Sequence, residues 1–103
     1  MEPFQFSLRA RQDLAELYDY VAFESGADRA DALRHKLDSA LHLLAGTPGM
    51  GHWRDELPDA SLRVWRVYRW LIVYRTGTNP LEIVRVLGGW RDLSERMRES
   101  EGE

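Results

Sequence analysis

The 103-residue sequence has no cysteine and only one lysine, Lys36. Without cysteine there are no disulfides and no thiolate metal sites, a composition in keeping with a reducing cytosol. No uninterrupted apolar run is long enough to span a bilayer, and the opening MEPFQFSLRAR lacks the apolar segment of a secretory signal. Metal-ligand spacing is missing as well. His35 and His42 stand seven apart at the edge of one helical stripe, not at the i, i+4 interval that helical metal sites use, and read as boundary residues. His52 has no titratable partner beside it in sequence to make it a proton carrier. Asp55, Glu56 and Asp59 do not follow the spacing of a metal loop and read as a solvated cluster. Gly88-Gly89 marks a sharp exit from a strand, because a phosphate loop needs more glycines and a helix opening onto them. No cofactor and no metal are therefore expected.

What is present is a charge division. Residues 1–60 hold six Lys/Arg against eleven Asp/Glu, whereas residues 61–98 hold eight Arg against three Asp/Glu. The net charge of −3 argues against a free-standing nucleic-acid binder. The arginine-only basic half still suits planar, bidentate contacts to carboxylate or phosphate. Solvated sheet-edge arginines are the plain reading; a docking surface for an acidic chain or a polynucleotide is the sharper one.

The basic half is also the strand-forming half. LRVWRV at Leu62–Val67, WLIVYRT at 70–76 and LEIVRVL at Leu81–Leu87 are rich in β-branched, aromatic and leucine residues, with Thr-Gly-Thr-Asn-Pro between the second and third. Only Tyr68-Arg69 separates the first two runs, so a tight hairpin pairs Val67 with Trp70, Trp65 with Ile72 and Arg63 with Tyr74. Those six residues share one face, and Trp65, Ile72 and Tyr74 are assigned to the core. Leu62, Val64, Arg66, Leu71, Val73 and Arg75 occupy the other face. Both faces are largely apolar, so one should meet helices and the other needs a cover, which need not come from this chain.

Upstream, Phe4-Gln5-Phe6-Ser7-Leu8 alternates as a short strand. A helix follows from residue 9 or 10 to Ser25-Gly26, with Leu14, Leu17, Tyr18 and Val21 as its stripe and Asp13, Glu16 and Asp19 off it. Asp28 is the expected N-cap of a second helix over 29–45, whose stripe is Ala30, Leu33, Leu37, Ala40, Leu41 and Leu44. The short break makes the two an antiparallel hairpin. Residues 47–60 form a Gly/Pro-rich loop with a candidate helical turn at 53–57. Trp90 and Arg91 emerge at the sheet rim, either as an interface pair or with the ring capping the core. Residues 99–103 are a frayed tail. The expected fold is α+β: an N-terminal strand, an antiparallel helical hairpin and a three-strand antiparallel meander in one sheet, with the helices on one face. Residues 1–98 form a single domain.

DLAELYDY (13–20), SGADRA (25–30), LLAGTPGMG (43–51), RWLIVYR (69–75) and EIVRVLGGWRDL (82–93) occur in this order. Together they resemble the ParE/RelE superfamily of type II toxin–antitoxin toxins, the ParE branch most closely, over residues 4–97. The resemblance implies a cytoplasmic toxin neutralised by a cognate antitoxin. That antitoxin would be ParD-like, a DNA-binding dimer with a wrapping C-terminal arm, so that operator DNA is reached only through it and no membrane is involved. ParE-like relatives inhibit DNA gyrase without catalysis of their own, whereas RelE-like relatives are ribosome-dependent mRNA endonucleases. A third role is that of a non-toxic co-repressor acting only through the antitoxin.

Two departures bear on the branch. Leu71 stands where the ribonuclease branch commonly has arginine, and Gly88-Gly89 stands where many relatives carry a histidine or basic residue. The remaining sheet cations are arginines, which stabilise phosphate but do not act as bases at neutral pH. The expectation is therefore a non-enzymatic ParE-like gyrase inhibitor. Its antitoxin would bind the outer side of the helical hairpin and the face of Leu62, Val64, Arg66, Leu71, Val73 and Arg75. Its target would meet Arg85, Trp90, Arg91, Arg96 and Arg98.

Overall fold

Ser7 sets where the first helix begins. Its hydroxyl accepts from the Ala10 N–H at 3.0 Å and donates to the Val84 carbonyl at 2.7 Å, so one side chain caps the helix and ties it to the sheet. The computed structural model describes residues 2–89, 93, 96 and 97. In it, β1 is only Phe4–Phe6 and α1 runs from Leu8 to Ser25. Alternation alone carries the strand through Ser7 and Leu8; the cap ends it sooner.

Gly26 joins the two helices by itself. At φ 93° it donates to the Ala22 carbonyl at the end of α1 and accepts from Ala30 N–H at the start of α2, Ala27–Gly46. The positive φ suits glycine and relieves Asp28 of the expected N-cap role. Asp28 lies instead in the first turn of α2, where its charge favours the helix dipole. The α2 stripe is as expected, with Ala30, Leu33, Leu37, Leu41 and Leu44 buried and Ala40 packed against them. In α1, Ala10 and Leu17 are buried and Leu14, Tyr18 and Val21 pack alongside.

The meander forms with β2 at Leu62–Val67, β3 at Trp70–Arg75 and β4 at Leu81–Leu87. The β2–β3 register pairs Val67 with Trp70, Trp65 with Ile72 and Arg63 with Tyr74. The sheet order is β1-β4-β3-β2, with β1 parallel to β4 and the other pairs antiparallel. In the candidate turn at 53–57 only one hydrogen-bonded turn closes, Leu57 N–H donating to the Arg54 carbonyl at 3.0 Å, and a 3-10 helix occurs earlier, at Pro48–Met50. His52 instead bridges to Val64 on the outer side of β2.

Two apolar clusters sandwich the sheet. Leu17, Leu33, Leu37, Leu41 and Leu44 of the helices meet Val67, Ile72, Tyr74, Ile83 and Val86 on one side, with Trp65 partly buried at its edge. On the other side Leu62, Val64, Leu71, Val73 and Leu87 pack with Leu57, Leu93 and Met97. The cover of the second face thus comes from the chain itself.

Candidate interaction surfaces

The face assigned from sequence to the antitoxin is closed in this chain. Leu62, Val64, Leu71 and Val73 are each at most 1% exposed beneath Leu57, Leu93 and Met97. They are core residues of the free chain, out of reach unless the C-terminal cover moves. Arg75 is engaged too: its guanidinium bonds Asp59 and Glu82, each at 3.1 Å, and the Ser61 hydroxyl at 2.6 Å. Arg66 is exposed, its Nε donating to the Tyr68 carbonyl at 2.5 Å.

The rim assigned to a target divides as well. Arg85 is 1% exposed in the free chain. Its Nε and Nη2 donate to the two Asp13 oxygens at 2.8 and 3.0 Å, and Nη1 donates to the Arg96 carbonyl at 3.0 Å. Asp13, read from sequence as off the apolar stripe, therefore belongs to the inner side of α1, three residues after Ala10 and four before Leu17. Arg96 is exposed. Trp90, Arg91, Arg98 and the tail at 99–103 lie outside the described residues.

The hairpin tip between β2 and β3 is the surface that sequence reasoning passed over. Tyr68 is 63% exposed and holds φ 56°, the only non-glycine residue with positive φ among the described residues. Positive φ at the first loop position is the pattern of a type II′ turn, where glycine is usual. Beside it, the Arg69 guanidinium lies 5.0 Å from the Trp70 ring centroid and 5.8 Å from that of Tyr20, and the two rings meet edge to face at 6.4 Å. A cleft of about 290 Å³ opens here, lined by Tyr20, Arg69, Trp70, Gly88 and Arg96 among others. Gly88 lines it beside the Trp70 ring, where an added Cβ would make ordinary contact at 3.4 Å. The Tyr68-Arg69 dipeptide between two apolar strands was the available signal; it reads as a turn, and a turn alone does not announce a surface.

The loop before β2 is a rigid neighbour. The buried Tyr74 hydroxyl donates to the Pro48 carbonyl at 2.5 Å and accepts from Gly51 N–H at 2.9 Å. Burial pushes the Tyr74 pKa upward despite the Gly51 bond and the Arg63 charge. A side chain at Gly51 would collide with that hydroxyl. His52 stacks on Trp65 at 5.9 Å, and Arg63 lies over Trp53 at the same distance. The bond from Ser61, with Arg75 beside it, holds the Asp59 carboxyl below the usual range. The Arg54 bond does the same for Glu56, and raises the Arg54 pKa in turn. His42 lies on the surface, with Nδ1 2.9 Å from the Asp38 carbonyl. No group of His, Asp and Glu that could hold a metal ion occurs among the described residues.

Comparison with known proteins places this arrangement. The family described as the ParE toxin of the type II toxin–antitoxin system, parDE, matches residues 4–93. Toxin ParE1 of Caulobacter vibrioides is 32% identical over 93 residues, covering 84% of this chain and 88% of the relative. Toxin ParE3 of the same organism is 28% identical over 85 residues, covering 82% and 84%. Among solved structures, a chain of the chromosomal ParDE toxin–antitoxin system from P. aeruginosa superposes with a TM-score of 0.70 at 16% identity. The match covers 84% of this chain and 95% of that one, and extends the likeness to the fold.

Proposed function

The chain belongs to the ParE toxin family of type II toxin–antitoxin systems, and from that premise we propose that it inhibits DNA gyrase and is neutralised by a cognate antitoxin. The observation that carries the reading is the extent of the family match, residues 4–93, which takes in every helix and strand described above. The protein acts by binding. Its sheet cations are arginines, which do not serve as bases, and Arg85 is held by Asp13 away from any ligand. Toxin and target meet in the cytoplasm; no described helix is long and apolar enough to cross a membrane.

The antitoxin arm is assigned to the outer side of the helical hairpin, since the second sheet face is filled by the chain itself. Leu8 and Phe23 of α1 are large apolar side chains left exposed, Phe23 at 88%, and Tyr20 and Leu43 add exposed apolar surface where the helices border the sheet. An amphipathic arm over them would remove apolar surface from water at roughly 25 cal/mol per Å². The antitoxin is the ParD-like dimer whose own segment binds operator DNA, so the toxin reaches the operator only through it.

The experiment is expression of the chain alone and together with the product of the neighbouring gene. Growth arrest on sole expression, relieved by co-expression and accompanied by co-purification, supports the reading. Normal growth on sole expression of folded protein contradicts it.

A further inference from the structure

The cations on and around the sheet differ in what they meet. Arg54, Arg75 and Arg85 are each bonded to carboxylates, those of Glu56, of Asp59 and Glu82, and of Asp13. Arg29, Lys36, Arg66 and Arg69 are exposed, and none has a carboxylate within ion-pair distance among the described residues. All four gather around the β2–β3 tip. Arg69 and Tyr68 line a cleft of about 330 Å³ with Arg29, and Tyr68 and Arg66 line a second of about 330 Å³ with Lys36. The Tyr68 ring stands between the two, most of its surface in water.

The backbone at this point carries a cost that no packing repays. A non-glycine residue held at positive φ is disfavoured, and an aromatic gains little from the position when most of its ring is exposed. The chain nevertheless places a tyrosine there, among cations without carboxylate partners among the described residues and next to a guanidinium already layered on Trp70 and Tyr20. Guanidinium groups match phosphate oxygens in bidentate geometry, and exposed rings stack with unpaired bases of any identity.

We propose that the hairpin tip is a binding site for a single-stranded nucleic-acid segment. The phosphates lie against Arg29, Lys36, Arg66 and Arg69, and one base stacks on Tyr68. The site stands apart from the gyrase reading, because it is defined toward nucleic acid in the absence of any enzyme. An acidic peptide would satisfy the cations but not the exposed ring, which is why a nucleic-acid strand is favoured. The overall charge of −3 keeps affinity modest and makes it depend on this local patch.

The test is fluorescence anisotropy of a labelled 12-nucleotide single-stranded DNA titrated with the full chain at several salt concentrations. The expected result is micromolar binding at about 50 mM salt, with log K falling against log salt at a slope of about −3, for four phosphates on a single strand. Tyr68→Gly is the informative variant, since glycine accepts the positive φ: it should raise the melting temperature yet weaken binding about tenfold. Arg66→Ala with Arg69→Ala should weaken binding at least tenfold and flatten the salt slope by about 1.4. Absence of binding up to 100 µM, or binding undiminished in both variants, would overturn the proposal. So would a polyglutamate peptide that displaces the strand and shows the same dependence on Tyr68, which would make the tip a peptide site. Normal growth on sole expression with strand binding here, or growth arrest without strand binding, separates the two readings.

Discussion

Arg85 and Asp13, seventy-two residues apart in sequence, form a two-pronged ion pair at 2.8 and 3.0 Å that fastens α1 to β4. The same Asp13 carboxylate accepts the Val86 N–H at 2.9 Å. Strand β1 accompanies β4 only as far as Ile83. Past that point Ser7 and Asp13 take over the edge, Ser7 bonding the Ile83 and Val84 carbonyls and Asp13 accepting from Val86. A helix side chain thus completes a strand edge that would otherwise invite pairing.

Removing one partner of this pair strands the other charge in a site where Arg85 is 1% and Asp13 11% exposed. Asp13→Ala and Arg85→Ala should each cost about 3–5 kcal/mol in urea unfolding. Asp13→Asn retains an acceptor for Val86 N–H and should cost less than Asp13→Ala. Equal losses for the two Asp13 variants would mean that the Val86 bond contributes nothing.

The Tyr74 hydroxyl serves Pro48 and Gly51 at once. Tyr74→Phe leaves two polar backbone groups short of a partner and should cost about 1–3 kcal/mol. Gly51→Ala should be destabilising in the wild-type background and somewhat less so beside Tyr74→Phe, which removes the hydroxyl but leaves the ring carbons Cε1 and Cζ 2.8 and 2.9 Å from the added Cβ. A double-mutant cycle in thermal unfolding checks this coupling.

Acid should loosen the β2–β3 end of the sheet. The Asp59 carboxyl is depressed by its bonds from Ser61 and Arg75. Its contribution is therefore complete above the ordinary aspartate range and lost as pH falls through the lowered folded-state value. Asp59→Asn should flatten the pH dependence of stability below about pH 4 and leave stability near neutrality only slightly reduced, since the pair is half exposed. A melting-temperature profile from pH 2 to 7 on both proteins decides the point.

Leu93 is fully buried against the second sheet face. Leu93→Ala should cost about 2–5 kcal/mol. A variant as stable as wild type would mean that this face does not depend on its C-terminal cover, and would restore it as a docking surface.

Most of the fold was legible in the sequence. Hairpin register, both helical stripes and the division of the meander into two faces follow from periods of 2 and 3.6 read over long, strongly patterned runs. What was not legible depends on contacts between distant residues. Asp13 reads as off the apolar stripe until Arg85 is brought to it, and the second face looks open until Leu57, Leu93 and Met97 fold over it. For that reason Arg85, assigned to the target, and four sheet residues assigned to the antitoxin are buried in the free chain. Arg66 and Arg69 at the hairpin tip were visible as arginines in a basic half; their lack of carboxylate partners among the described residues needed the structure.

The central claim is gyrase inhibition, and purified gyrase with plasmid DNA and ATP tests it most directly. The account predicts accumulation of linear DNA or loss of supercoiling when the chain is added, reversed by preincubation with the antitoxin. Unchanged supercoiling and no cleaved DNA at micromolar folded protein would contradict it.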